Sequence, residues 1–152
     1  MTQKEAIYRL LAKRAFDQLL ELFDEKPNVV RKYVTMASQH RDEVFRRQAI
    51  DFFGFLAEQR AADQPEYFRE IMRRHLWGMN EESGNIDWSA PEIIGAIIAA
   101  QPALFKEFAP IMIEAALCEP VFHPGLLKAV KRMAAQDEEL IEYHLPRLKE
   151  MM

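Results

Sequence analysis

Cysteine, glycine and long apolar runs are all scarce in this chain of 152 residues. The single cysteine, Cys118, cannot form a disulfide within the chain, which excludes a disulfide-stapled scaffold. Five glycines are too few for a collagen-like chain. The longest apolar run, residues 93–100, is much shorter than the roughly 18 residues that a membrane span requires. The sequence therefore predicts a protein that does not cross a membrane.

Neither sign of charge dominates the composition. Twenty basic and 24 acidic side chains leave a net charge of −4, and 49% of the residues are hydrophobic. These values are typical of one globular domain, here 1–152. They give no general electrostatic reason to bind nucleic acid or an anionic membrane. The first residues lack the apolar stretch of a secretory signal, so we expect a cytoplasmic protein.

Apolar residues recur at helical spacing along almost the whole chain, and no segment alternates as a strand would. This pattern predicts an all-α fold. An oxygen-bearing residue stands three positions before a carboxylate at three predicted helix starts, which is typical of capping boxes. These pairs are Thr2 with Glu5, Asp63 with Glu66, and Ser89 with Glu92.

Two interleaved segments repeat along the chain. Segments that begin at Pro27, Pro65, Pro102 and Asp137 share an apolar residue three positions later, followed by charge. Between them, residues 49–54 and 90–95 both carry an alanine followed five positions later by a glycine. A period of about 35 to 41 residues with two helices in each unit is typical of a helical solenoid.

The series with the alanine and the glycine resembles the inner helix of the HEAT-repeat family. Asp42, the pair Phe45-Arg46, Ala49 and Gly54 stand where that family has Asp, Val-Arg, Ala and Gly. The stretch 75–95 also resembles small bacterial HEAT-like proteins with a Trp, Asn-acidic-acidic, Ser-Gly, Trp, Pro-Glu signature. The resemblance implies a right-handed α-α superhelix of about four helical pairs with a C-terminal capping helix.

The same resemblance assigns the helices to two layers. The outer helices are expected at 2–12, 27–39, 65–78, 102–118 and 137–151, and the inner ones at 14–25, 42–61, 89–101 and 123–136. Whether 2–25 breaks near Arg14 stays open. Pro110 and Pro146 fall inside the last two outer helices, where each ring would kink or break the helix. Gly54 and Gly95 share a repeat position, which predicts close helix approach at both.

We find no motif for catalysis, for a metal or for a cofactor. Ser83 lies outside any nucleophile elbow, and no glycine-rich phosphate loop is present. We expect Cys118 to be a small core residue. No histidine has a second His or Cys at the spacing of a zinc site, so we expect surface or boundary positions for all four. They are His40, His75, His123 and His144.

One long loop, 79–89, breaks the helical pattern. It contains Glu81, Glu82 and Asp87 and has Trp77 and Trp88 near its two ends. The carboxylates suggest a calcium or magnesium site, but the spacing matches no EF-hand. We favour ordinary loop chemistry, with the tryptophans buried as packing anchors and the acids facing outward.

Alignment of the inner helices places a set of charged and aromatic residues on one surface. On the expected concave face these residues would form a ladder that grips a charged peptide or ligand, with a tryptophan as its apolar anchor. A solvated face with mutual ion pairs explains the pattern equally well. The set consists of Arg47, Asp51, Trp88, Glu92, Lys128 and Arg132.

The sequence therefore predicts a non-enzymatic protein-interaction module, which binds a protein partner through its concave face and the 79–89 loop. The alternative is a small-molecule, metal-binding or nucleic-acid-processing protein built on the acidic loop. HEAT-like DNA glycosylases bind DNA through a basic concave surface, and Arg69, Arg73 and Arg74 offer basic groups. The acidic total and the carboxylates on the same face argue against nucleic acid.

Overall fold

The computed structural model of the chain describes residues 1–80 and 86–152, and within these ranges every regular element is helical. The α-helices are α1 Gln3–Ala12, α2 Phe16–Glu25, α3 Pro27–Ala37, α4 Glu43–Arg60, α5 Pro65–Met79, α6 Ala90–Ala100, α7 Pro102–Phe105, α8 Phe108–Leu117, α9 His123–Gln136 and α10 Leu145–Met151. Three short 3-10 helices lie at Pro120–Phe122, Glu138–Leu140 and Glu142–His144. None of the helices in the described ranges combines the length and the apolar character needed to cross a membrane.

Helix starts follow the sequence signals at some positions and not at others. Thr2 Oγ1 accepts a hydrogen bond from the Glu5 backbone N–H, as the first capping box predicts. The box of Asp63 with Glu66 is wrong. Because α5 begins at Pro65, its N-cap is Gln64, and Asp63 lies one position too early to reach the first turn.

The break near Arg14 that the sequence left open is present, and two further predicted helices are broken, each for a local reason. Arg14 has a left-handed backbone, with φ of 53°, and it separates α1 from α2. The expected helix 102–118 divides at residues 106 and 107, because the Pro110 ring would clash with the carbonyl four residues earlier, on Lys106. The expected helix 137–151 becomes two 3-10 turns followed by α10, with Pro146 in its first turn.

Helix α6 lies at the centre of the core. It packs against α4 on one side and α9 on the other, and it also contacts α5 and α8. Every residue from Ala90 to Ala99 is buried. Its apolar sequence therefore follows from its surroundings, because a helix covered on all sides needs no polar face.

The two matched glycines meet different neighbours. A Cβ at Gly95 would lie 2.7 Å from Ala129 Cβ and 3.1 Å from Ala129 Cα, so α6 and α9 are in close backbone contact. A Cβ at Gly54 would lie 2.8 Å from the Arg132 guanidinium but 3.5 Å or more from the nearest atoms of α6. The expected close helix approach is confirmed at Gly95, whereas Gly54 makes room for a side chain.

Candidate functional site

An open cleft of about 930 Å³ lies where α4, α6 and α9 begin. Its walls are the residues that follow α3, the first turn of α4, the segment 86–89 and the start of α9, and Glu92 of α6 lines its interior. The lining residues are Gln39, His40, Arg41, Glu43, Arg46, Ile86, Asp87, Trp88, Ser89, Glu92, Val121, Pro124, Gly125 and Lys128.

Glu92 is the buried charge of this cleft, with a side chain only 5% exposed. Arg46 Nη1 donates to Glu92 Oε2 at 2.7 Å, and Arg47 Nη1 lies 3.3 Å from Oε1. The Arg47 contact lacks hydrogen-bond geometry, so Oε1 accepts no hydrogen bond from any described residue. A buried carboxylate needs such cationic partners, because it has lost its hydration.

Glu43 joins the same cluster from the first turn of α4. Arg46 donates to its carboxylate through Nε at 3.2 Å and Nη2 at 2.8 Å, and Lys128 Nζ lies 3.5 Å away on α9. The hydrogen bonds from Arg46, with the charges of Arg46 and Lys128, lower the pKa of Glu43 to about 2. The hydrogen bonds to Glu43 and Glu92 raise the pKa of Arg46 above its usual value. Both groups therefore stay charged at neutral pH.

The segment before α6 is fixed by Asp87. Gln39 Nε2 donates to Asp87 Oδ1 at 2.6 Å, and Asp87 Oδ2 pairs with Nδ1 of the buried His75. The Asp87 backbone N–H donates to the Gly78 carbonyl at 3.3 Å, and a Cβ at Gly78 would lie only 2.8 Å from Asp87 Cβ. Asp87 therefore faces inward and joins α5 to the end of α3, which corrects the expectation that the loop's acids face outward.

Ser89 fixes the other end of the same segment. Its hydroxyl donates to the Ser38 carbonyl and accepts a hydrogen bond from Arg46 Nη1 at 3.0 Å. Ser89 consequently makes no side-chain cap on α6, and the capping box predicted for Ser89 with Glu92 is wrong. The physical reason is that Arg46 binds both members of that pair.

The expectation that the two tryptophans are buried anchors is also wrong. Trp77 is 81% exposed and Trp88 is 63% exposed. The backbone on either side of Trp88 is already held by the polar contacts of Asp87 and Ser89, so the ring is not needed for packing. It lies at the cleft instead. Glu81 and Glu82 lie outside the described residues.

A second ion-pair cluster forms around Asp51. Arg14 Nη1 lies 3.1 Å from Asp51 Oδ2, and Arg132 Nη1 donates to Oδ1 at 2.9 Å. The contact with Arg132 connects α4 to α9 across α6, and the Arg132 guanidinium occupies the space that a side chain at position 54 would fill.

The structure places the predicted ladder in two groups: Trp88, Glu92 and Lys128 line the cleft, while Asp51 and Arg132 line a second pocket. Arg47 contacts Glu92 and Glu43, Glu43 contacts Lys128, and Arg132 contacts Asp51. Arg47 and Asp51 lie one helical turn apart and therefore on the same face of α4, and Lys128 and Arg132 lie on the same face of α9 in the same way. These four side chains and Glu92 of α6 share one surface of the molecule. The expected common surface of Asp51, Glu92 and Lys128 is confirmed, but Glu92 is a buried member of it.

The remaining reactive side chains have structural partners or lie apart. His75 and His144 are buried rather than at the expected surface or boundary positions, because each has a carboxylate partner: Asp87 for His75, and Glu114 Oε1 at 3.1 Å for His144 Nε2. Cys118 is exposed rather than in the core, because α8 ends before it. In residues 1–80 and 86–152 no three His, Cys, Asp or Glu side chains are grouped as a metal site would require.

The basic residues of α5 are paired with acids. Arg69 Nη1 lies 2.7 Å from Glu66 Oε1 and its Nε lies 3.4 Å from Glu107, while Arg73 and Arg74 both lie 3.6 Å from Glu70. This alternation of charges lowers the electrostatic attraction of the helix for a phosphate backbone.

Sequence reasoning missed Gln39, His75 and Asp87 as a group, because no spacing rule links residues on three separate segments. Comparisons with protein-family models, with curated proteins and with solved structures returned no match. Function is therefore inferred from the side chains of this cleft.

Proposed function

We propose that the chain is a protein-interaction module that binds a segment of a partner protein in the cleft at the start of α4, α6 and α9. The observation that carries this proposal is Trp88. Its ring is 63% exposed at the cleft, although Asp87 and Ser89 on either side of it are tied to neighbouring helices. An exposed tryptophan whose two chain neighbours are fixed by polar contacts is the kind of residue that contributes most to a protein interface.

The charges of the cleft favour a peptide over a strongly charged ligand. Glu43 and Glu92 are balanced by Arg46 and Arg47, and Lys128 adds a further contact to Glu43. A partner segment would therefore place an apolar side chain against Trp88 and polar groups against the ion pairs. Burial of the ring on binding would supply most of the affinity, while the charges would select orientation.

A HEAT-like solenoid is the frame that we propose for this module. In support, α4, α6 and α9 pack side by side in that order, and α5 packs on α8. The helices that carry the repeated Ala-to-Gly segment, α4 and α6, are neighbours in this row. In a solenoid of this kind the inner helices form a continuous binding surface.

The test is a peptide-library selection against the purified chain, followed by affinity measurements on the enriched peptides. We expect Trp88→Ala to weaken binding by about tenfold or more, as is typical of a central aromatic anchor. Trp77→Ala is the matched control, because Trp77 is more exposed and does not line the cleft. Equal binding by the wild type and the Trp88→Ala variant would show that the proposal is wrong.

A small-molecule ligand is the second candidate, and one observation favours it. Glu92 Oε1 is buried beside the cleft without a hydrogen bond from any described residue. Since Arg46 and Arg47 already balance the carboxylate, a neutral donor such as an amide N–H suits this oxygen better than a third cation. Thermal-shift screening with amide-bearing compounds, on the wild type and on Glu92→Gln, tests this candidate. Stabilisation of both proteins by the same compounds would count against it.

A further inference from the structure

A second, smaller pocket lies on the other side of Asp87, between α3 and α5. Its volume is about 230 Å³, below the roughly 300–1,000 Å³ of pockets that enclose drug-sized ligands. A pocket of this size suits a single compact group. Its lining residues are Arg31, Thr35, Ile71, Arg74, His75 and Asp87.

The pocket has more positive than negative charge available to a ligand. Arg31 makes no ion pair with any residue in the described ranges, and Arg74 reaches only Glu70, at 3.6 Å. Asp87 contributes the single carboxylate, but its two oxygens are occupied by Gln39 and His75. Two arginines on different helices therefore line a small pocket, and neither pairs with a carboxylate that lines it.

We propose that this pocket binds a phosphate group, either free or as a monoester. Guanidinium groups present planar pairs of N–H donors that match phosphate oxygens, and two of them balance a dianion. A carboxylate carries one charge and suits the pair less well. This pocket shares only Asp87 with the lining of the Trp88 cleft, and its proposal does not rest on the proposed function.

The neighbouring side chains are compatible with an anion. The Thr35 hydroxyl donates to the Arg31 carbonyl at 2.7 Å, within the helix turn that carries Arg31. The Tyr67 phenol is neutral at physiological pH and does not repel phosphate; burial raises its pKa further, although the neighbouring Arg31 acts in the opposite direction. The pocket therefore holds one negative group, Asp87, and that group is already paired.

Isothermal titration calorimetry with inorganic phosphate and with O-phosphoserine, at constant ionic strength, tests the proposal. We expect one saturable site in the wild-type chain, and a loss of about tenfold or more in affinity for both Arg31→Gln and Arg74→Gln. Tighter binding of phosphoserine than of phosphate would identify a phosphorylated side chain as the source. Tighter binding of inorganic phosphate would identify the free ion.

Arg73→Gln is the matched control, because Arg73 and Arg74 contact the same Glu70 at the same distance and are similarly exposed, but only Arg74 lines the pocket. We expect Arg73→Gln to bind phosphate as the wild type does. Three results would each overturn the proposal: no saturable binding, an equal loss in Arg73→Gln, or equally tight binding of acetate. Circular dichroism of each variant verifies that the fold is retained.

Discussion

Asp51 and Glu92 occupy matching positions of the repeated sequence, yet water reaches them very differently. The Asp51 side chain is 24% exposed and the Glu92 side chain is 5% exposed. Each carboxylate is held by two arginines, so the pairing is alike and the burial is not. The sequence position determines which neighbours a carboxylate meets, while the number of helices around it determines its exposure.

The difference follows from the place of each helix in the row. Glu92 lies on α6, which has α4 on one side and α9 on the other. Asp51 lies on α4. One of its two arginine partners is Arg14, which lies in the short connection between α1 and α2 and has a half-exposed side chain. A matched position on a central helix is therefore buried, and the same position nearer the end of the row is not.

The largest effect is expected from Glu92→Ala. Loss of this buried carboxylate would leave Arg46 and Arg47 with only the exposed Glu43 as counter-charge, and removal of one partner of a buried ion pair typically costs about 3–5 kcal/mol in the free energy of unfolding. Urea denaturation measures the loss, with Glu92→Gln as a milder variant that keeps the shape. A loss below that of Asp51→Ala would contradict the argument from burial.

Gly95→Ala should have the next largest effect, because its new methyl group would meet the Ala129 backbone, which cannot move aside. Overpacking of this kind costs about 1–3 kcal/mol. Gly54→Ala is the matched control: it displaces only the Arg132 guanidinium and gains about 1 kcal/mol of helix propensity, so its net effect should be near zero. Thermal denaturation of both variants measures the contrast. Similar losses in the two would mean that α4 and α6 approach as closely as α6 and α9.

Asp51→Ala should cost about 1 kcal/mol or less, because Arg14 and Arg132 are exposed enough to be hydrated when their partner is lost. Raised salt should reduce the cost further, since exposed ion pairs are screened. Urea denaturation at two salt concentrations measures both effects. A salt-independent loss as large as that of Glu92→Ala would remove the contrast between the two positions.

The smallest effect concerns Glu43, which is 62% exposed and has a pKa lowered to about 2. A lowered pKa in the folded state means that the ionised group stabilises the fold above its ordinary pKa of 4.5, and that this stabilisation is lost as the pH falls towards 2. The stability difference between the wild type and Glu43→Gln should therefore shrink between pH 5 and pH 2, by about a few tenths of a kcal/mol. A difference that does not change over this range would be evidence against the Arg46 contact.

Local rules predicted most of the helices correctly. Proline at a first turn, an oxygen at a cap and the clash of Pro110 with the Lys106 carbonyl all act within one turn of helix. The common surface of Asp51, Glu92 and Lys128 followed from alignment of the two similar segments, because the repeat proposed from them would place equivalent residues on equivalent faces.

The environment of the 79–89 loop could not be predicted in the same way. The sequence shows two tryptophans near its ends, and burial of large rings is the usual expectation. The structure uses Asp87 and Ser89 instead, whose partners Gln39, His75 and Ser38 are between 12 and 51 residues away. Contacts between segments so far apart have no signature in one sequence.

The burial of α6 from Ala90 to Ala99 bears on how the molecule unfolds. Repeat proteins often lose structure one unit at a time from an end, because each unit contacts only its neighbours. Here α6 contacts α4 and α5, which precede it in the chain, and α8 and α9, which follow it. Neither half of the chain can therefore unfold without exposing part of α6. Its amide protons should exchange with solvent only through opening of the whole domain, and thermal unfolding should be a single cooperative event rather than a stepwise one.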